Sequence, residues 1–217
     1  MKKLISIEEA VSHIEDGMTV MIGGFLNVGT PEKLIDALVA KGVKDLTIIA
    51  NDTGFENVGI GKLVCNKMAK KVIASHVGTN KETGRQMTSG ETIVELVPQG
   101  TLAERIRAAG AGLGGIITPT GLGTIVEEGK EKILIDNREY LIEKALKADV
   151  ALVFATECDE KGNCFFAKAT KNFNPLIATA ADKVIVQAAK VVKVGELDPD
   201  RVHTPGLFVN YIVKEEA

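Results

Sequence analysis

Short apolar runs alternate with amphipathic segments along most of the chain. Thr19-Val-Met-Ile22 is apolar and rich in β-branched residues, and predicts a buried strand. Leu34, Ile35, Leu38 and Val39 follow at helical spacing and predict one buried helical stripe. Further strands are expected over 45–50, 72–75, 92–97, 149–154, 183–186 and 207–212. Segments 132–136 and 139–143 flank Asn137-Arg138 and predict a hairpin. Ser6 with Glu9, and Thr101 with Glu104, have capping-box spacing and open predicted helices, the second closing at Gly110. Strands alternating with helices predict an α/β fold: an open, mostly parallel sheet with helices on both faces. The hairpin predicts an antiparallel addition. No low-complexity linker or short repeat interrupts the pattern, so one domain over 1–217 is the simplest reading.

Between the first strand and its helix lies Gly23-Gly24-Phe25-Leu26-Asn27-Val28-Gly29-Thr30-Pro31. Thr30 suits an N-cap and Pro31 the first helical position. Free N–H groups at a helix start attract phosphate or carboxylate, and glycines allow a ligand close to the backbone. A tight strand-to-helix turn explains the same residues, and the loop alone leaves both readings open. The G-x-G-x-x-G and G-K-[ST] patterns are absent, which sets aside the dinucleotide and Walker loops. Ligands of such sheets sit beyond the carboxyl ends of the strands. Three glycine-bearing segments are expected to gather there: 23–30, 99–101 and the long, charge-poor 110–124.

Composition narrows the function. A net charge of −3, 4% aromatic residues and no Trp speak against nucleic acid. Cys65, Cys158 and Cys164 form no C-x-x-C, so inert thiols in a reducing compartment are expected. His13, His76 and His203 stand apart in sequence and predict no metal site. Acidic residues in the first eighteen positions do not fit a secretory leader, and no apolar run is long enough to span a bilayer. A cytoplasmic protein is expected.

Two side chains are candidates for chemistry. Gln99 follows a predicted strand, where its amide can serve a developing oxyanion or merely satisfy the loop. Glu56, among glycines at 53–61, reads as a nucleophile or as a solvated acid, the second being the ordinary case.

The segment from Asp16 to Pro31, with its acidic residue and glycine, apolar run, Gly-Gly-Phe and Gly-Thr-Pro, resembles the first signature of the class I coenzyme A transferases. Segments 98–107, 118–124 and Lys171-Asn-Phe-Asn-Pro175 are similar to further segments of that family. The likeness runs from about residue 5 to the C-terminus, and is to the alpha subunits of acetate or butyrate:acetoacetate CoA-transferases. The equivalent subunits of succinyl-CoA:3-ketoacid and 3-oxoadipate CoA-transferases are similar relatives. The resemblance implies a glutamate that attacks an acyl-CoA, forms an anhydride and becomes a glutamyl-CoA thioester. That glutamate sits in a Ser-Glu-Asn-Gly motif of the beta subunit, which this chain lacks; Glu56-Asn57-Val58-Gly59 is a partial echo. The resemblance therefore implies half an enzyme, working with a beta subunit in an alpha2beta2 heterotetramer. Coenzyme A is then a substrate, with no permanently bound cofactor. Gln99 matches the family's oxyanion donor. Gly23, Gly24, Phe25, Leu26, Asn27, Val28, Gly29 and Thr30 match the loop at the CoA and acyl site. Rival readings are a self-sufficient thioester enzyme using Glu56, or a small-molecule sensor on the same fold.

Overall fold

The structure is a computed structural model and describes residues 3–215. In chain order the elements are α1 (Ile7–Ser12), β1 (Thr19–Ile22), α2 (Glu32–Lys41), β2 (Leu46–Ile49), α3 (Ile60–Cys65), β3 (Ala69–Ala74), α4 (Lys81–Ser89), β4 (Ile93–Leu96) and α5 (Gln99–Gly110). There follow β5 (Gly115–Thr118), β6 (Lys132–Ile135), β7 (Arg138–Lys144), β8 (Ala148–Asp159), β9 (Cys164–Phe165), α6 (Asn174–Ile177), β10 (Ala181–Val192) and β11 (Tyr211–Lys214).

The large sheet runs β11-β10-β8-β1-β2-β3-β4, every neighbouring pair parallel, with β9 added antiparallel to β8. The apolar runs are continuous because both faces are covered. Val20 and Ile22 of β1, Val72 and Ala74 of β3, and Val150 and Leu152 of β8 pack under α1, α2 and α3. Their alternates Met21, Ile73, Ala151 and Val153 face Leu102 and Ile106 of α5 and Ile177 of α6. Chain order leaves β1 in one direction for β2, β3 and β4, and resumes on its other side with β8 and β10. The reversal beside β1 is where a crevice opens in such sheets.

Several local expectations are corrected. The antiparallel addition forms a sheet of its own, β5-β7-β6. Its tight turn is Asp136-Asn137, both with positive φ (49° and 61°), as a two-residue hairpin requires. Segment 110–124 does not join the strand ends as an irregular loop, because Ile116 to Thr118 pair with β7. Residues 206–208 form a 3-10 turn, and the last strand starts only at Tyr211. Three helices went unpredicted, α3, α4 and the one-turn α6. Polar α4 is capped by Asn80, whose side chain accepts from Thr83 N–H at 3.1 Å, and its buried face is Thr83 and Gln86, so no apolar stripe marks it. The glycines at 59 and 61 disguise α3; a Cβ at Gly61 would lie 1.9 Å from the Phe55 carbonyl.

Candidate active site

At the end of β1 the ladder persists for one residue, Gly23 N–H donating to Leu152 O at 3.0 Å. The two glycines then answer an internal need. A Cβ on Gly23 would fall 1.9 Å from Asn174 Oδ1, and one on Gly24 2.1 Å from Thr30 Oγ1. Phe25 and Val28 exchange both backbone hydrogen bonds (3.1 and 2.9 Å), with Leu26 (φ 44°) and Asn27 (φ 68°) left-handed at the tip. Leucine rarely adopts that conformation, so surrounding bonds must hold it there. Asp52 accepts from Leu26 N–H at 3.0 Å. Asn172 accepts from Gly24 N–H at 3.2 Å and donates to Val28 O at 2.8 Å, while Asn174 donates to Gly29 O at 2.8 Å.

The loop therefore uses most of its own polar groups. Among the described residues, the N–H groups of Asn27 and Gly29 are left without acceptors. The helix-start expectation is corrected too. Thr30 is buried against Gly24 and makes no cap; Pro31 stands at the cap position, and buried Gln187 of β10 accepts from Leu34 N–H at 3.1 Å. That N–H is thus taken up inside the protein and does not face a ligand.

Phe25, Leu26, Asn51, Asp52, Ser75, His76 and Gln99 line one cleft of about 350 Å³. They follow the carboxyl ends of β1, β2, β3 and β4, as the position rule requires. Of the three glycine-bearing segments, 23–30 and 99–101 meet here, and none of 110–124 lines the cleft. Gln99 is the first residue of α5 rather than a loop residue. Pro98 O accepts from Leu102 N–H at 2.8 Å, so the helix begins two residues before Thr101. Thr101 is consequently buried within the helix, and Glu104 pairs with Arg107 instead of closing a capping box. At the other predicted box, Ser6 does accept from Glu9 N–H at 3.2 Å.

A chain of hydrogen bonds crosses the cleft. Gln99 Nε2 donates to Asn51 Oδ1 at 2.7 Å, and Asn51 Nδ2 donates to Asp52 Oδ2 at 2.8 Å, the oxygen that also holds Leu26. Ser75 Oγ donates to Asn51 O at 2.7 Å. An amide nitrogen carries two hydrogens, so Gln99 retains one for another acceptor. Asp52, 3% exposed, has Oδ1 taken by Gly54 N–H at 2.7 Å and Oδ2 by two donors. The carboxylate lining the cleft is thus committed to holding the fold. Glu56 is exposed outside the cleft, on a separate surface beside Lys81 and Arg85.

The coenzyme A transferase profile matches residues 4–215. The chain belongs to the coenzyme A transferase family. Over 211 residues this transferase chain is 53% identical to the acetate CoA-transferase alpha subunit of Escherichia coli (strain K12), covering 97% of this chain and 96% of that one. Over 215 residues it is 55% identical to the acetoacetyl-CoA:acetate/butyrate CoA transferase alpha subunit of Clostridium acetobutylicum, covering 99% of each. The corresponding subunit of a probable succinyl-CoA:3-ketoacid coenzyme A transferase of Bacillus subtilis is 50% identical over 98% of this chain and 89% of its own. Among solved structures, an acyl-CoA transferase of E. coli O157:H7, a thioester complex with CoA, superposes with a TM-score of 0.86 at 29% identity. The match covers 98% of this chain but 47% of that one, so the transferase chain spans about half the length of that solved protein.

Asn51, Asp52, Ser75, His76, Asn172 and Asn174 were not singled out from the sequence. Asn51 and Asp52 directly follow the predicted strand 45–50, Ser75 ends the predicted strand 72–75 and His76 follows it, and the rule that sites lie beyond carboxyl strand ends is the signal that could have marked them. Asn172 and Asn174 lie far from the loop in sequence, and the Lys171–Pro175 segment carried no role for them.

Proposed function

We infer that this chain is the alpha subunit of a heteromeric CoA-transferase that moves CoA between a short-chain acyl-CoA and a carboxylic acid. The observation that carries the reading is a cleft with a poised amide donor and no disengaged carboxylate among its lining residues. A donor without a nucleophile is half of an acyl-transfer site, and a beta-type partner supplies the glutamate.

In this scheme the partner's glutamate attacks the thioester carbonyl. The remaining Nε2 hydrogen of Gln99 serves the oxyanion as it forms. CoA thiolate leaves, giving an acyl–glutamyl anhydride, then attacks the glutamyl carbonyl and releases the acyl group as its carboxylate. The acceptor acid takes CoA by the reverse steps. Phe25 and Leu26 shape the acyl end of the cleft, and the N–H groups of Asn27 and Gly29 are available to thioester or phosphate oxygens. Acetate or butyrate with acetoacetate is the acid pair we favour, from the names of the 53–55% identical relatives. A succinyl-CoA:3-ketoacid pair is the second reading, favoured by the 50% identical relative. The acids differ by small groups that pockets separate by only about 1–3 kcal/mol per methylene. An alpha2beta2 assembly in the cytoplasm completes the proposal; among the described residues, no helix is long and apolar enough to cross a membrane. The test is reconstitution: exchange of CoA should need both this chain and a beta-type chain carrying the glutamate.

A further inference from the structure

Both acid pairs weighed for this cleft include a 3-oxo acid, whose keto oxygen lies two carbons from the reacting carbonyl. A cleft that takes such a chain meets two oxygens, and only one of them gains charge. An oxygen enclosed without a donor is destabilised, because its bonds to water are lost and not replaced. Gln99 has one free N–H, and the reacting oxygen takes it. The keto oxygen needs a second donor among the lining side chains. Phe25 and Leu26 have none. Asp52 only accepts, and its oxygens are held by Gly54, Leu26 and Asn51. Asn51 is buried, and its amide donates to Asp52. The Ser75 hydroxyl donates to Asn51 O at 2.7 Å. His76 remains. It is exposed at the cleft, and among the described residues its imidazole enters no hydrogen bond or ion pair. An imidazole keeps at least one N–H in either protonation state.

The backbone of His76 is fixed beside the site. Asp52 and His76 form a parallel bridge beyond the end of β3, and Ser75 N–H donates to Asn51 O at 2.9 Å. Strands β3 and β4 are neighbours, with Ala74 opposite Leu96. His76 and Gln99 therefore follow adjacent strands, whose axes lie about 4.8 Å apart, and both line the same cleft. We propose that His76 is the specificity residue for the 3-oxo acid, its imidazole donating to the keto oxygen while Gln99 serves the thioester oxygen. This rests on the proposed CoA transfer. Acetyl and butyryl chains offer no oxygen at that place. The exposed imidazole then keeps its water, so such chains are tolerated and the preference is modest.

The test is steady-state exchange by the reconstituted enzyme, with acetoacetyl-CoA or butyryl-CoA as donor and acetate as acceptor. In His76→Leu, kcat/KM should fall about three- to tenfold further for acetoacetyl-CoA than for butyryl-CoA, as loss of one neutral hydrogen bond implies. His76→Gln keeps an N–H donor and should recover most of that difference. Both variants should melt with the wild type, because the side chain is exposed. A merely structural role would lower both donors alike. Equal losses, an unchanged ratio, or His76→Gln no better than His76→Leu would overturn the assignment. A wild-type mixture that exchanges neither donor would overturn the CoA transfer itself and this assignment with it, a result distinct from an unchanged ratio in an active enzyme.

Discussion

Removing Asn51 and Gln99 singly and together isolates the hydrogen-bonded chain that crosses the cleft. Gln99→Ala deletes the proposed oxyanion donor, and loss of one such donor costs about 10²–10³ in kcat, or about 2.7–4 kcal/mol. Asn51→Ala leaves the donor but frees it, since the 2.7 Å bond from Gln99 Nε2 is gone. Re-ordering a glutamine side chain costs up to about 1.5–2 kcal/mol, which predicts a fall in kcat of up to about 10–30-fold. In the double variant the anchor has nothing to hold, so kcat should match Gln99→Ala alone. The coupling should therefore be about as large as the Asn51 effect itself. Asn51 is 1% exposed and also donates to Asp52, so its loss should cost about 1–3 kcal/mol of stability. Steady-state exchange kinetics of the reconstituted enzyme, with a thermal melt on each variant, separate the two effects. Gln99→Ala should lower kcat and kcat/KM together and move KM less. Fully additive losses, or near-wild-type kcat for Gln99→Ala in a folded heteromer, would refute the reasoning.

Gly24→Ala should destabilise by at least about 1–3 kcal/mol in a melt, because φ is +126° and Thr30 Oγ1 stands 2.1 Å from the new Cβ. Glu56→Ala should keep most exchange activity and change stability by less than about 0.5 kcal/mol, since Glu56 is an exposed residue outside the cleft. Hydrogen bonds from Arg85 above all hold the Glu82 and Glu91 carboxyls down to about 2 from the ordinary 4.5. Their folded values are depressed, so this stabilisation stands in full above pH 4.5 and is lost as the pH falls towards about 2. Melts through that window at low salt should show the loss, and Arg85→Ala should flatten it.

The doubly covered sheet was legible because strands buried on both faces leave continuous apolar runs, as Val20-Met21-Ile22 does. What escaped were elements whose buried faces are polar or glycine-bearing, α4 with Thr83 and Gln86 foremost. The cores of β8 and β10 showed only their apolar centres; the extensions to Asp159 and Val192 carry mixed residues. At the site, Gln99 was readable as a strand-end residue, but its partner was not. Asn51 lies 48 positions away, and no local pattern encodes a contact that parallel pairing creates. The loop was readable as a glycine loop, while the reason for its glycines, the side chains of Asn174 and Thr30, needed the fold. The caps failed for a related reason. Spacing nominated Thr30 and Thr101, and tertiary structure buried both, with Gln187 and Pro98 shaping the helix starts instead.

The central claim is that this chain supplies a donor and a scaffold but no nucleophile. The most direct measurement incubates the chain, a beta-type chain and their mixture with acyl-CoA, traps the adduct with hydroxylamine or borohydride, and locates it by mass spectrometry. No adduct and no exchange are expected with this chain alone. In the mixture, the adduct should map to a glutamate of the beta-type chain, with Glu56→Ala leaving it unchanged. An adduct on Glu56 or Asp52 of this chain, or robust exchange without a partner, would contradict it.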